Sequence, residues 1–292
     1  MLVRILIAIP KILWKVGLIG LLNFFIDNPI LSLLPWLGLF VFLDLTLYQG
    51  LAQIFGNLYN KVAHRSDLRA RNEYVCIGNY ILPFDGKWTV FNGGVDKALS
   101  HSWGIISQRY AYDFIILDDE GKSHAGDNKS LQSYYCYGKE VISPADGIVV
   151  KVSRRHKDSR VNGSKAYCDT WDIRGNYITI KHAESEYSLI AHLAPDSIVV
   201  DVGDNVKQGD IIAKCGNTGN TSEPHVHFQL QTKKSFFLSA GLPIAFSGIN
   251  AYDKTNYSMA DKRATEGNLQ EINGKKYIGR GLEVENAKRI FS

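Results

Sequence analysis

Charge is scarce in this 292-residue chain: 21% of residues are Asp, Glu, Lys or Arg, and the formal net charge is only +4. There is no basic stripe to neutralise a phosphate backbone over many contacts, which excludes nucleic acid as a partner. Cysteine is equally sparse. Cys76, Cys136, Cys168 and Cys215 stand at irregular spacing without a C-x-x-C pair, which argues against a thiolate zinc site and leaves disulfides or ordinary half-buried thiols. The chain also lacks an internal repeat, a low-complexity tract and a small-residue cleavage site near its N-terminus. One Gly-rich stretch, GNTGN at 216–220, has no following Lys-Ser/Thr and leads into a strand pattern. That excludes a P-loop and points to a tight turn in which Gly216 and Gly219 supply backbone conformations closed to other residues.

Composition changes near residue 60. Before it the charges are limited to Arg4, Lys11, Lys15, Asp27 and Asp44, and PILSLLPWLGLFVFL at 29–43 has none. About 20 mostly apolar residues suffice to cross a bilayer, so residues 1–60 read as a hydrophobic helical membrane-anchoring region with one effective span around 29–50. The first apolar stretch carries three cations and Pro10, which fits a second span or an interfacial helix, and a helical hairpin packed on the following domain is the alternative to a membrane segment. Cations flank the region on both sides, so the positive-inside rule also permits a two-span hairpin. Residues 61–73, KVAHRSDLRARNE, read as a charged linker. From residue 74 to about 250, short runs such as KWTVF, YAYDFIIL, NYITIKH, YSLIAHL and HVHFQLQ alternate with Gly, Asn, Asp and Pro clusters. That spacing predicts a mainly β domain built on an antiparallel sheet, followed by a C-terminal extension over 251–292.

The segment richest in chemistry is His225-Val226-His227. On a strand, residues 225 and 227 project to one face, which holds two imidazoles a few ångströms apart, as a metal and its reacting water require; two surface histidines are the plainer alternative for an isolated H-x-H. Pro224 and the turn-rich approach place the pair at a cleft mouth. His182 of IKH reads as an orienting or structural residue, and His64, His124 and His156 as solvated surface residues.

The order of a G-N-Y strand, A-H-L, V-G-D-N-V-K-Q-G-D, G-N-T-G and P-H-V-H resembles the lysostaphin-type (LytM-like) zinc endopeptidases. The match is dense over 138–231, with a weaker extension to QRYAYDF at 108–114 and GLPIAF at 241–246. The resemblance implies a LytM/lysostaphin-like antiparallel β fold, a Zn²⁺ cofactor and hydrolysis of peptide bonds in cell-wall peptidoglycan, its partner being the peptidoglycan peptide. It implies Asp113 and His227 as zinc ligands, and His192 and His225 as the catalytic histidines beside the water. Such a domain belongs outside the cytoplasm, tethered to the membrane through residues 1–60. In one respect the chain departs from the family pattern. Four residues before Asp113, where relatives carry a histidine ligand, stands Arg109, a fixed cation with no lone pair. Gln108 and His101 are the nearby candidates, and His101 is the better zinc donor. The alternative is a metal-free degenerate domain that acts as a cell-wall-binding or regulatory module.

Overall fold

The computed structural model describes residues 2–26, 28–63, 74–161, 166–263, 265, 268–272 and 275–287. Ten strands form one sheet: β1 (Trp88–Asn92), β2 (Tyr112–Ile115), β3 (Gly147–Ser153), β4 (Asn176–Ala183), β5 (Glu186–Leu193), β6 (Asn205–Val206), β7 (Val226–Gln231), β8 (Gly241–Leu242), β9 (Ile249–Asp253) and β10 (Leu282–Asn286). Their spatial order is β9-β10-β1-β2-β7-β5-β4-β3-β6, with β8 paired to β7, and every pairing is antiparallel. The mainly β, antiparallel expectation holds. Residues 251–287 are not an appendage, however, because β10 sits inside the sheet between β9 and β1.

Period-two alternation sorts the central strands into a core face and a polar face. Tyr112 and Phe114 of β2, Val226, Phe228 and Leu230 of β7, and Ile190 of β5 enter the main core, where Phe84 stacks on Trp88 at 4.5 Å and meets Phe114 edge-on at 4.9 Å. Asp113 of β2 and His227, Gln229 and Gln231 of β7 take the opposite face. Glu186, at the start of β5, is fully buried and ties down the chain entering the domain: it accepts from the Tyr74 and Tyr80 hydroxyls and from the backbone N–H groups of Ile77 and Gly78. All four cysteines are free thiols, three of them buried, so no disulfide forms among them.

The N-terminal region differs from a single span. Its helices are α1 (Leu2–Ile19), α2 (Pro29–Leu33) and α3 (Leu45–Ala63), with a 3-10 helix over Leu34–Leu43. Among the described residues no helix is long and apolar enough to cross a membrane. The apolar run at 29–50 is divided instead. Asn28 caps α2 ahead of Pro29, and Asp44 accepts from Leu47 N–H at the start of α3 and from the Trp14 indole at 3.1 Å. The 3-10 segment folds back on α1, where Gly17 meets the Gly38 backbone so closely that a Cβ would stand 2.5 Å from its nitrogen. Of the expected linker, residues 61–63 complete α3, and 64–73, with His64, lie outside the described residues.

Candidate metallopeptidase site

The five residues singled out in the sequence, His101, Asp113, His192, His225 and His227, line one cleft of about 350 Å³. Register explains most of this. His227 pairs with Asp113 across the β7–β2 ladder and with Ala191 across β7–β5, so three neighbouring strands present the same face at one level. Ala191 is small and leaves room. His192 follows it and by alternation should point into the core, yet it too lines the cleft: its backbone adopts the left-handed conformation, φ 63, uncommon outside glycine. The turn is held by Thr218, Arg174 and Gly216. His192 Nδ1 lies 2.7 Å from the Thr218 carbonyl oxygen, its backbone N–H donates to Arg174 and its carbonyl accepts from Gly216. Strained backbone of this kind persists where the surroundings over-determine it, and it gathers at functional sites.

The imidazoles gather around Asp113. His227 Nδ1 lies 2.9 Å from its Oδ1, His225 Nε2 3.7 Å from the same oxygen, and His101 Nε2 3.5 Å from Oδ2, to which the Asn92 amide also donates at 3.1 Å. Burial by itself would raise the Asp113 carboxyl, but His101, His227 and His225 hold it well below the usual carboxylate range. Burial keeps His192 well below the ordinary histidine value, helped by repulsion from His225 and His227, and burial likewise lowers His101 against the pull of Asp113. His227 goes the other way: burial opposes its charge, yet the bond to Asp113 raises it.

Hydrogen bonding assigns the tautomers. A carbonyl oxygen only accepts, so the proton of His192 sits on Nδ1, facing Thr218, and that of His225 on Nδ1, 2.8 Å from the Glu223 carbonyl. Each therefore carries its Nε2 lone pair free. Gln229 decides the case of His227. Its Nε2 donates to the Ser107 carbonyl at 3.0 Å, which turns its Oε1 toward His227 Nε2, also at 3.0 Å. His227 must then be protonated on Nε2, and in the neutral ring the Nδ1 lone pair faces an Asp113 oxygen. Two acceptors 2.9 Å apart require a proton or a metal cation between them.

That requirement is what a zinc ligand pair would meet, and a set of one carboxylate and imidazoles suits zinc chemically. Among the described residues no three His, Cys, Asp or Glu side chains form a ready metal cage. Arg109 does not point at the group. Its Nε donates to the Trp103 carbonyl at 3.2 Å and its guanidinium lies over the Trp103 ring, 5.2 Å from the centroid. His101 is the residue that stands beside Asp113 instead.

Gln229 and Asn92 were missed in the sequence. Gln229 continues the alternation of His225 and His227 along β7, and that period was available as a signal; Asn92 is placed by the irregular β1–β2 register, which leaves no local mark. His182 belongs elsewhere: its ring joins the Asp146 carbonyl to the Ser188 hydroxyl, a structural tie. His124 is not fully solvated, since its Nδ1 is buried and its ring lies 5.2 Å from that of Tyr134.

Residues 127–237 match peptidase family M23. Over that stretch the chain is similar to the family. Its relatives include the murein hydrolase activator NlpD of Salmonella dublin, 31% identical over 137 residues, 47% of this chain and 31% of the relative. Another is the peptidoglycan DD-endopeptidase ShyB of Vibrio cholerae, 33% identical over 122 residues, 41% of this chain and 24% of the relative. The matched stretch thus spans a third or less of each of these relatives. Among solved structures, the catalytic domain of lysostaphin from Staphylococcus simulans aligns with 54% of this chain and 88% of its own, at 20% identity and a TM-score of 0.31. Asp113 and His101 lie outside the matched M23 segment, and only Asp113 falls on the weaker N-terminal extension of the resemblance.

Proposed function

We propose that this protein is a zinc-dependent endopeptidase that hydrolyses peptide bonds in cell-wall peptidoglycan. The observation that carries the reading is the facing pair His227 Nδ1 and Asp113 Oδ1, each turned by its other contacts into an acceptor, beside two histidines whose free Nε2 atoms enter the same cleft. Asp113, His227 and His101 would hold the ion, which supplies Lewis-acid polarisation of the scissile carbonyl and acidifies a water. The remaining steps belong to the chain. His192 and His225, their rings 4.6 Å apart, are fixed by the Thr218 and Glu223 carbonyls so that Nε2 of either accepts the proton of the attacking water. The imidazolium so formed then donates from Nε2 to the departing amine. His192, kept neutral by burial, suits the accepting role.

The apolar exterior of residues 9–62 supports attachment to a lipid surface; that the catalytic domain lies outside the cytoplasm follows only from the proposed substrate. Phe24, Phe25, Trp36, Ile54, Phe55 and Val62 are all exposed, Phe24 and Phe25 to more than 80%. Exposed apolar side chains on helices that do not span a bilayer fit an interfacial mode of binding. A second reading, a metal-free module that binds cell wall, draws on Arg109 at the family's histidine position. The experiment that separates them measures zinc stoichiometry of the full chain and turbidity loss of purified cell walls, for wild type, His192→Ala and His225→Ala. Near-stoichiometric zinc in all three, with hydrolysis reduced roughly 10²- to 10⁴-fold in the variants, supports the enzyme. A wild type that takes up no zinc moves the protein to the binding-module class.

A further inference from the structure

Helix α3 lies across the mouth of the cleft. Three side chains at successive helical turns, Gln49, Gln53 and Asn57, share one face. Gln49 grips one rim: its Nε2 donates to the Trp171 carbonyl at 2.7 Å and its Oε1 accepts from Ile173 N–H at 2.9 Å. Asn57 grips the other: its Oδ1 accepts from Ile106 N–H at 2.8 Å and its Nδ2 donates to the Gly104 carbonyl at 3.3 Å. At 1.5 Å per residue the two anchors stand about 12 Å apart along the helix, a span that matches an open groove. Further along, Asn60 donates to the Ser239 carbonyl at 3.0 Å, and Gly56 lets the helix backbone approach the Phe237 carbonyl, which a Cβ would meet at 1.9 Å.

Gln53 sits midway between the anchors and lines the same cleft as His101, Asp113, His192, His225 and His227. Its Nε2 is removed from solvent and has no hydrogen-bond partner among the described residues. Leaving a buried donor unpaired costs about 1–3 kcal/mol, and native structures rarely carry one without a use. Here both neighbouring turns of the helix are pinned, so the side chain is held at the cleft, while no acceptor among the described residues completes it. The group that fits is a neutral acceptor entering from the cleft, and a peptide carbonyl is the acceptor that every segment of a peptide substrate offers.

We propose that Gln53 is a substrate-binding residue, its Nε2 donating to a backbone carbonyl of the peptide bound in the cleft. The inference rests on the peptidase reading of that cleft and extends it: the binding groove is completed by a helix that lies outside the matched M23 segment, and a peptide passes beneath α3 rather than over an open sheet. A helix that merely blocked the site would have no need of an unpaired donor facing inward.

The test uses the full chain in detergent micelles, with a muropeptide dimer, released from cell walls by a muramidase, as probe. Its Kd is measured by calorimetry on zinc-stripped protein, and KM and kcat on zinc-loaded protein, for wild type, Gln53→Met and Gln53→Ala. Methionine keeps the length and helix propensity and removes the amide, donor and acceptor together. The expected result is Kd and KM raised roughly 2- to 12-fold in both variants, the worth of one net hydrogen bond, with zinc content, kcat and melting temperature held or the last slightly raised. Wild-type Kd in Gln53→Met overturns the proposal, as does tighter binding in either variant, which would mark α3 as a blocking element. If wild type binds the dimer in a Gln53-dependent way and never cleaves it, this inference stands and the hydrolase reading fails; cleavage with a Gln53-independent KM is the reverse. A wild type that does not bind the dimer overturns the assignment of Gln53.

Discussion

His227 and Asp113 face each other at 2.9 Å through two atoms that are both acceptors whenever the imidazole is neutral, because Gln229 claims the proton on the far side of the ring. Without a cation the conflict is relieved by protonating His227, which is why its affinity for a proton is raised despite burial. Gln229 is therefore the residue that sets which nitrogen is free to bind a metal. Replacing it with Leu, of similar bulk, lets the ring carry its proton on Nδ1 toward Asp113. Residues that orient a ligating histidine typically contribute 10- to 100-fold in metal affinity, and the expected loss for Gln229→Leu lies in that range. Chelator competition with a chromophoric zinc indicator measures it; an affinity equal to wild type would remove Gln229 from the site.

His101 takes the place beside Asp113 that the position of Arg109 leaves open, and the two residues should separate cleanly on substitution. His101→Ala is expected to lower zinc content well below stoichiometric, since only one imidazole and one carboxylate of the proposed ligand set remain. Arg109→Lys is expected to keep its zinc, because the guanidinium packs on Trp103 and not on the carboxylate. Elemental analysis of both proteins decides the matter, and full zinc in His101→Ala would exclude His101 as a ligand.

What was legible in the sequence follows from where the information is local. His225 and His227 share a face because a strand alternates, and that rule needs only the run HVHFQLQ; the same rule reaches Gln229, whose role was visible two residues further on. Asp113 and His192 came through a run of motifs in a fixed order. The left-handed backbone that swings His192 into the cleft has no such mark, since a histidine in AHL reads as an ordinary strand residue. Helix α3 is the larger failure. It turns its polar stripe of Gln49, Gln53, Asn57 and Asn60 toward the protein and leaves Leu51, Ile54, Phe55 and Leu58 outside, the reverse of the usual amphipathic arrangement. Read by composition, that stretch fell almost wholly in the membrane-anchoring region 1–60, its first turns in the span around 29–50. The place of the strand Leu282–Asn286 in the main sheet was lost for a different reason: besides β9 it pairs with β1, nearly 200 residues away, and such long-range pairing leaves nothing in a local window.

Glu186 offers a stability test away from the cleft. Each carboxylate oxygen faces one backbone N–H, from Ile77 or from Gly78, together with one tyrosine hydroxyl. A hydroxyl can rotate to accept from an amide, but a backbone N–H cannot. Glu186→Gln must leave one of the two N–H groups against an NH₂, a buried unpaired donor that costs about 1–3 kcal/mol. Denaturant unfolding of the variant should show that loss with an unchanged slope, and a midpoint identical to wild type would mean that the segment at 74–80 is not held through this carboxylate.

Gly56 controls whether α3 stays on the domain at all. Alanine there is favoured within the helix itself by roughly 0.5–1 kcal/mol, so propensity alone predicts a firmer helix. Docking predicts the opposite. The added Cβ would stand 1.9 Å from the Phe237 carbonyl oxygen, a backbone atom in a loop that also carries the Asn60 contact at Ser239, and neither side has a flexible side chain to move. The clash outweighs the propensity gain because relieving it requires the helix to lift away and surrender the anchors at Gln49 and Asn57. Hydrogen exchange on the full chain in micelles reads the two effects separately. In Gly56→Ala, the backbone amides of Ile173 and Ile106, which donate to those two anchors, should lose protection, and those of β5 and β7 should keep theirs. Unchanged protection at Ile173 and Ile106 would show that α3 tolerates the methyl group and that its seat on the cleft is looser than the close approach at Phe237 requires.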